Sequence, residues 1–392
     1  MKEVVVVSGV RAAIGTYGGS LKDTAVCDMA AAMVAEAIKR AGISGDEVDQ
    51  VVFGNVIHSE PRDMYVARVA AVNGGVRESA PALTLNRLCG SGLQAVITAA
   101  QQVQLGLAET VIAGGAESMS RAPYHLPTAR FGQRMGDGAM IDPMVSALTC
   151  PFNYIHMGIT AENVAEKYSV SRADQDAYAA QGHQRAQNAI ENGYFESQIL
   201  PIELKSRKGT VEFKQDEHVR MDCSMADMEK LRPAFKKDGT VTAGNASGLN
   251  DGAAALVLME REAAEKRGLP VLGRLVDYAV HGVDPKIMGI GPVPVIRQIL
   301  ERQGLNANDI DVYEVNEAFA AQALAVAREL KLPQERLNPN GSGIALGHPI
   351  GATGAIITVK ALYELERIGG KYAMVSLCIG GGQGIAALFA RD

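Results

Sequence analysis

No tryptophan occurs in the 392 residues, and aromatic residues make up only 5%. The stacking platforms that hold single-stranded nucleic acid are therefore missing. Positive charge is not in excess either: 38 Lys and Arg stand against 44 Asp and Glu, a formal net charge of −6. That balance lacks the overall basic footprint of a polyanion-binding protein. No apolar run approaches the ~18 residues needed to cross a bilayer. The run Val4 to Val7 is too short for the core of a secretory signal, and Ala390-Arg391-Asp392 matches no peroxisomal or retention address. Cysteine is sparse: the five, at 27, 89, 150, 223 and 378, have neither CxxC spacing nor a disulfide framework. The expectation is a cytoplasmic, reduced protein that engages neither nucleic acid nor membrane.

Glycine is abundant instead, 42 residues or about 11% against a usual ~7%. The glycines cluster at Gly114-Gly115, between Gly341 and Gly354, and between Gly380 and Gly384. Such clusters between apolar segments mark tight turns or close approach of backbone to a ligand. Short apolar runs alternate with longer helical patterns, which predicts α/β architecture. Strands are expected at 4–7, 51–53, 81–85 and 110–113, and helices at 25–41 and 91–106. In the 91–106 segment Leu93, Val96, Ile97, Ala100 and Val103 share one face.

The second half repeats the plan. Arg40-Ala41-Gly42-Ile43 and Glu47-Val48-Asp49 align with Arg302-Gln303-Gly304-Leu305 and Asp309-Ile310-Asp311 at an offset of 262, and the same offset places Gly92 on Gly354. Two echoes with one offset imply an internal duplication. Between the copies, 119–249 is irregular, with one expected helix at 172–192 and a polar remainder in which basic and acidic residues nearly balance. It is read as an insertion over one face of the core, where substrates commonly bind. The expected division is 1–118 plus 250–269 for one core half, 119–249 for the inserted loop domain, and 270–392 for the other half.

Three segments carry candidate chemistry. Cys89, in Asn86-Arg87-Leu88-Cys89-Gly90-Ser91-Gly92, lies between a strand and a helix. That setting is like a nucleophile elbow, and the positive end of a helix is expected to lower a thiol's pKa. The alternative is a small buried hydrophobe. His348, between Gly347 and Pro349, suits a base that approaches a ligand closely, or else a turn histidine bonded to backbone. Asn316, in Asn316-Glu317-Ala318-Phe319, is either the N-cap of a helix following a strand at 311–315 or the holder of a water or carbonyl oxygen. Cys378 ends a strand ahead of Gly380-Gly381-Gly382-Gln383-Gly384. A second strand follows there rather than a helix, so a dinucleotide site is excluded.

Taken together, Asn-x-x-Cys-Gly-Ser-Gly, Asn-Glu-Ala-Phe, Gly-His-Pro-x-Gly-Ala-x-Gly and Cys-x-Gly-Gly-Gly, in this order, resemble the thiolase family. Gly114 to Ser120, His156-Met157-Gly158 and Thr242 to Gly248 extend the likeness over essentially the whole chain. It is nearest to bacterial biosynthetic β-ketothiolases. Within them, Ser59 to Tyr65 and Asn338 to Gly343 look like the broad-chain-length enzymes of polyhydroxyalkanoate synthesis. The resemblance implies a duplicated thiolase fold, a five-layer αβαβα core with an inserted loop domain, and a homotetramer. It implies reversible Claisen condensation of acetyl-CoA with acetyl-CoA or a short acyl-CoA, with no metal and no cofactor beyond the CoA thioesters themselves.

By the same resemblance Cys89 carries the acyl group, His348 activates it, and Cys378 exchanges the α-proton of the second acetyl-CoA. His348 with an Asn316-held water forms one oxyanion hole, and the backbone N–H groups of Cys89 and Gly380 form the other. The CoA positions are Leu148, His156, Met157, Arg220, Phe235, Ala243, Ser247 and Leu249, with Met288, Ala318 and Phe319 at the acyl end. Asp227 stands where biosynthetic relatives often carry Ser, and His183 where some have Gln, so the resemblance does not extend CoA contact to these two. Cys27, Cys150 and Cys223 match no catalytic motif and are read as structural, and His58, His125, His218 and His281 have no zinc spacing. A malonyl-condensing synthase of the same fold would be expected to carry a different residue where Cys378 stands. A decayed acyl-CoA carrier would not keep the full set.

Overall fold

The computed structural model describes residues 1–206 and 209–391, Ser206 by its backbone only; Asp392 of the tail lies outside them. The first half runs β1 (Val4–Arg11), a short β2 (Gly15–Thr16), α1 (Val26–Ala41), β3 (Gln50–Gly54), α2 (Val66–Asn73), β4 (Ala82–Leu85), α3 (Ser91–Gln104) and β5 (Thr110–Ser118). The following stretch holds α4 (Pro143–Ala147), α5 (Met157–Lys167), α6 (Arg172–Glu191), a hairpin of β6 (Ile202–Ser206) and β7 (Gly209–Phe213), and α7 (Met225–Glu229). β8 (Asn250–Glu260) returns to the first half and α8 (Arg261–Lys266) leaves it. The second half is β9 (Gly273–Gly282), α9 (Pro292–Gln303), β10 (Val312–Val315), α10 (Ala320–Leu330), α11 (Gly343–Leu346), α12 (Thr353–Ile368), β11 (Tyr372–Ile379) and β12 (Gln383–Ala390).

The main sheet has the order β10-β11-β12-β9-β1-β8-β5-β3-β4, with β2 beside β8. From the β9–β1 junction outward the order is the same in both directions: β8 answers β12, β5 answers β11, and β3 answers β10. The junction itself is narrow, pairing only Val5 with Arg274 and Val6 with Gly273. Two half-sheets therefore meet at a seam. α3 and α12 pack on each other and on both half-sheets, while α1 and α9 cover the outer faces. The layers run helix, sheet, helix, sheet, helix. β1, β5 and nearly all of β8 are buried, and strands covered on both faces need apolar residues throughout instead of alternation.

The duplication has a physical basis at each echo. Gly42 and Gly304 end α1 and α9 in the left-handed region, at φ 69° and 64°, where a side chain is disfavoured. Asp49 accepts hydrogen bonds from the N–H groups of Glu109 (2.8 Å) and Thr110 (3.1 Å); Asp311 accepts from Lys371 (2.7 Å) and Tyr372 (3.0 Å). Each carboxylate thus pins the start of the strand after a central helix. A Cβ at Gly92 would lie 2.5 Å from Ala355 N, and one at Gly354 would strike Leu93 N. The two central helices cross at these glycines.

Two expectations need correction. Asn316 is not a helix N-cap: α10 starts at Ala320, and Phe319 is its cap residue. Residues 316–319 stay outside the helix, because Phe319 bridges Ala246 and the Ala320 N–H is taken by Asn245 O at 2.8 Å. The insertion also holds more than the one helix. α5 begins at His156, an unusual cap whose Nδ1 accepts from Gly158 N at 3.0 Å, so the common Ser/Thr/Asp/Asn start signal is absent.

Candidate active site

Cys89 is presented by a turn tied down on all sides. After β4 the chain passes through Leu88, whose φ of 47° is positive without being glycine, a conformation that surrounding structure must hold in place. Asn86 Oδ1 accepts from Leu88 N (2.8 Å), Ser91 Oγ donates to Leu88 O (2.7 Å), and Arg87 N donates to Ser91 Oγ (2.8 Å). Gly90 must be bare, since a Cβ there would lie 2.6 Å from Ile379 Cδ1. The strand–turn–helix elbow expected around Cys89 is present.

The matching turn before α12 holds His348. Its backbone N–H donates to Asn250 Oδ1 at 2.9 Å, and Asn250 Nδ2 in turn donates to Gly15 O at 2.9 Å. Nδ1 lies 2.7 Å from Thr353 Oγ1, whose own proton goes to Pro349 O at 2.9 Å. The Thr353 hydroxyl is therefore an acceptor toward the ring. This network assigns the imidazole proton to Nδ1 and leaves Nε2 as the basic nitrogen. Asn316 Nδ2 lies 3.4–3.5 Å from the ring nitrogens, while its buried Oδ1 has no partner. Asn316 is held behind the histidine, not at a helix end.

Cys378, the third group, pairs with Gly384 across the β11–β12 hairpin. The hairpin turns through Gly381 and Gly382, at φ 81° and 84°. It carries the Gly380 N–H to the Cys89 sulfur, where that N–H and the N–H of Cys89 itself favour the thiolate. They do not prevail in the free enzyme. Burial pushes the Cys89 thiol up to about 11, which corrects the expectation of a helix-lowered pKa: the walls are apolar, and desolvation outweighs the dipole. Burial, then the nearby Cys89 charge, drives the Cys378 thiol still higher, while burial takes His348 down to about 4. At neutral pH the site therefore rests with two thiols and a neutral imidazole.

These groups meet at a cavity of about 500 Å³. Cys89, His348 and Gly380 line it, and Cys378 packs behind its wall against Met157, Ala246, Met288, Ala318 and Phe319. Cys89 faces a second apolar wall that includes Ile57, Met119, Met144, Leu148, Leu249 and Ile350. Every expected CoA position opens on the same cavity: Leu148, His156, Met157, Arg220, Phe235, Ala243, Ser247 and Leu249, and at the far side Met288, Ala318 and Phe319. The His156 ring stacks on Phe235 with centroids 4.9 Å apart, and Phe319 meets Phe235 edge-on at 6.2 Å. Asp227 and His183 do not reach it. Asp227 caps α7 through Ser224, and His183 Nδ1 accepts from Arg220 N at 3.1 Å. Sequence reasoning passed over Met119, Met144, Ile350 and His218, which also line the cavity. Met119 falls within the Gly114 to Ser120 motif without a role assigned to it, Met144 and Ile350 give no signal beyond ordinary apolar residues, and His218 shows none beyond its lack of zinc spacing.

Comparison with known proteins gives concordant results. The model described as thiolase, N-terminal domain, matches residues 4–262, and thiolase, C-terminal domain, matches 269–391. The chain is 64% identical over 391 residues to beta-ketothiolase BktB of Cupriavidus necator, covering 100% of this chain and 99% of that protein. It is 47% identical to an acetyl-CoA acetyltransferase of Syntrophomonas wolfei, covering 99% and 98%. Among solved structures, the Bacillus anthracis acetyl-CoA acetyltransferase superposes with a TM-score of 0.97 at 49% identity, covering 100% and 99%. Human mitochondrial 3-ketoacyl-CoA thiolase in complex with CoA gives 0.96 at 45%, covering 100% and 98%.

Proposed function

Since the chain belongs to the thiolase family and is an acyl-CoA C-acyltransferase, we propose that it works through an acyl group carried on Cys89. The observation that supports this is one apolar cavity lined by the Cys89 thiol and a neutral histidine, with a third group, Cys378, packed just behind its wall. In the first stage Cys89 gives its proton to His348 Nε2 and its sulfur attacks the thioester carbonyl. The bond to the CoA sulfur breaks, and the departing CoA takes the proton of Cys378. Cys378 thiolate and His348 imidazolium remain, a charge pair that a dry site tolerates better than either ion alone.

In the second stage Cys378 removes the α-proton of acetyl-CoA. The carbon attacks the acyl-Cys89 carbonyl, and the Cys89 sulfur leaves with the proton of His348. Atoms and charges return to the starting state, and thiolysis is the reverse. The N–H groups of Cys89 and Gly380 receive the oxyanion formed on the acyl-enzyme. His348 and a water accepted by the free Asn316 Oδ1 receive the enolate oxygen. No metal or cofactor beyond the CoA thioesters takes part in this scheme. Brief incubation with acetyl-CoA should add one acetyl group to the Cys89 peptide by mass spectrometry; acetylation elsewhere, or none, would overturn the scheme.

The insertion at 119–249 is proposed as the CoA-binding loop domain between core halves 1–118 plus 250–269 and 270–392, because it supplies most of the cavity's outer wall. A homotetramer is proposed as well. Tyr124, Leu126, Phe131, Met135 and Met140 are exposed on one stretch, and Leu83 is exposed on edge strand β4; apolar surface of that kind is normally covered. No described helix is long and apolar enough to cross a membrane, and a cytoplasmic enzyme is the proposed setting. Supply of polyhydroxyalkanoate precursors rests on the likeness of Ser59 to Tyr65 and Asn338 to Gly343 to the broad-chain-length branch.

A further inference from the structure

Polar side chains are scarce on the cavity wall. Between exposed Arg220 and the half-buried Cys89 with buried His348, the polar lining groups are His156, His218 and Ser247. His156 has its Nδ1 engaged with Gly158 N and its ring stacked on Phe235. His218 is different: among the described residues neither of its ring nitrogens has a hydrogen-bond partner. Burial, then the charge of Arg220, lowers its pKa, so the ring is neutral at neutral pH and offers one donor and one acceptor.

The backbone under this ring is held firmly. Asp216 makes a fully buried two-pronged ion pair with Arg11, at 2.7 and 2.9 Å, and accepts from Ile14 N at 2.8 Å. Glu217 accepts from Thr16 N at 2.9 Å and Ser20 Oγ at 2.7 Å. Two residues beyond His218, Arg220 N is pinned to His183. Across the ring lies Gly248: a Cβ there would strike His218 Cε1 and come within 2.9 Å of Nε2. The glycine thus leaves the imidazole room beside Ser247. Anchoring on both sides of an unpartnered ring is the arrangement expected of a group preorganised for a ligand.

We propose that His218 is a substrate-anchoring residue whose imidazole hydrogen-bonds an amide of the pantetheine arm of the acyl-CoA. This rests on the acyl-CoA reading above. The arm must thread an apolar cavity, and each of its peptide-like amides loses water on entry. A buried amide left unpaired weakens binding, whereas a fixed neutral donor–acceptor ring restores it. The role assigned to the ring is in binding and not in chemistry.

His218→Phe keeps a ring of similar size and removes the hydrogen bond, and His218→Gln restores a donor and acceptor. For His218→Phe, KM for acetoacetyl-CoA and for CoA should rise about tenfold, with kcat within about twofold. The same rise should be seen with acetoacetyl-pantetheine, which lacks the nucleotide. His218→Gln should recover most of the loss. An unchanged KM in His218→Phe, a fall in kcat alone, or a defect with the CoA ester that is absent with the pantetheine ester would each overturn the assignment. CoA binding by calorimetry separates this from the wider reading. Loss of CoA binding in His218→Phe supports the anchor whatever the turnover, whereas a wild-type protein that binds CoA without thiolysis defeats the catalytic scheme and not this residue.

Discussion

The two halves are copies of one frame, yet they contribute different chemistry from equivalent places. Each half leads through a turn into a central helix, α3 or α12, and each turn carries a functional side chain: Cys89 in the first and His348 in the second. Because the helices cross at Gly92 and Gly354, the turns before them are brought to the same cavity. The strands after those helices diverge too. The end of β11 and the turn after it carry Cys378 and Gly380, whereas the same positions at the end of β5 are Ala116 and Ser118. Duplication supplied the symmetry that makes two turns meet, and divergence then put a thiol on one and an imidazole on the other.

The comparison breaks first at Cys89. Cys89→Ala should lower thiolysis of acetoacetyl-CoA by at least about 10⁴-fold, since the covalent route is lost and a neighbouring group cannot replace it. Near wild-type turnover would place the nucleophile elsewhere.

Its counterpart should cost somewhat less. His348→Ala should reduce kcat by about 10²–10⁴-fold. Its lowered pKa sets the sign of the pH dependence: above about 4 the imidazole is neutral and can accept the thiol proton, and as pH falls through about 4 it is protonated and the rate drops. Iodoacetamide labelling of the free enzyme offers a sharper contrast. The Cys89 thiolate forms only as pH approaches about 11, so the labelling rate should climb with pH and change little in His348→Ala, while turnover collapses.

Cys378→Ala should also lose about 10²–10⁴-fold in condensation, but in a separable way. It should still accept an acetyl group on Cys89 while failing to exchange the α-protons of acetyl-CoA with deuterated water. Retained exchange would remove Cys378 from proton transfer at carbon.

The frame itself can be tested at the crossing. Gly354→Ala drives a methyl into the α3 backbone and should cost about 3 kcal/mol or more. Gly42→Ala, strained only by its left-handed φ, should cost about 1 kcal/mol. Denaturant midpoints measure both, and equal losses would mean that the helices do not set the geometry.

The smallest effect concerns chain length. Met119, Met144, Met157 and Met288 all face the cavity, and unbranched methionine yields to extra methylenes. The kcat/KM for thiolysis of four-, five- and six-carbon ketoacyl-CoAs should stay within about tenfold. A thousandfold fall at five carbons would mean a closed pocket.

Much of this was legible in the chain. Residues whose roles require one side chain at one place, such as the glycines at 42, 92, 304 and 354, leave a signal because nothing else fits. The elbow was legible for the same reason. What could not be read depends on distant neighbours. Phe319 stays extended because Ala246, far away in sequence, bridges it, and no local pattern around Asn316 announces that. The pKa of Cys89 followed the same rule: the helix behind it is local, but the apolar walls that outweigh it come from α4, from residues 57 and 119, and from Ile350. His218 draws its meaning from carboxylates that clamp β1 and the 14–20 turn.

The apolar walls have a consequence beyond turnover. Oxidation to sulfenic acid and its successors proceeds through thiolate, so a sulfur kept protonated resists peroxide. Apolar surroundings hold both Cys89 and Cys378 as thiols at neutral pH. The desolvation that holds back their reactivity toward acyl groups therefore also withholds it from oxidants.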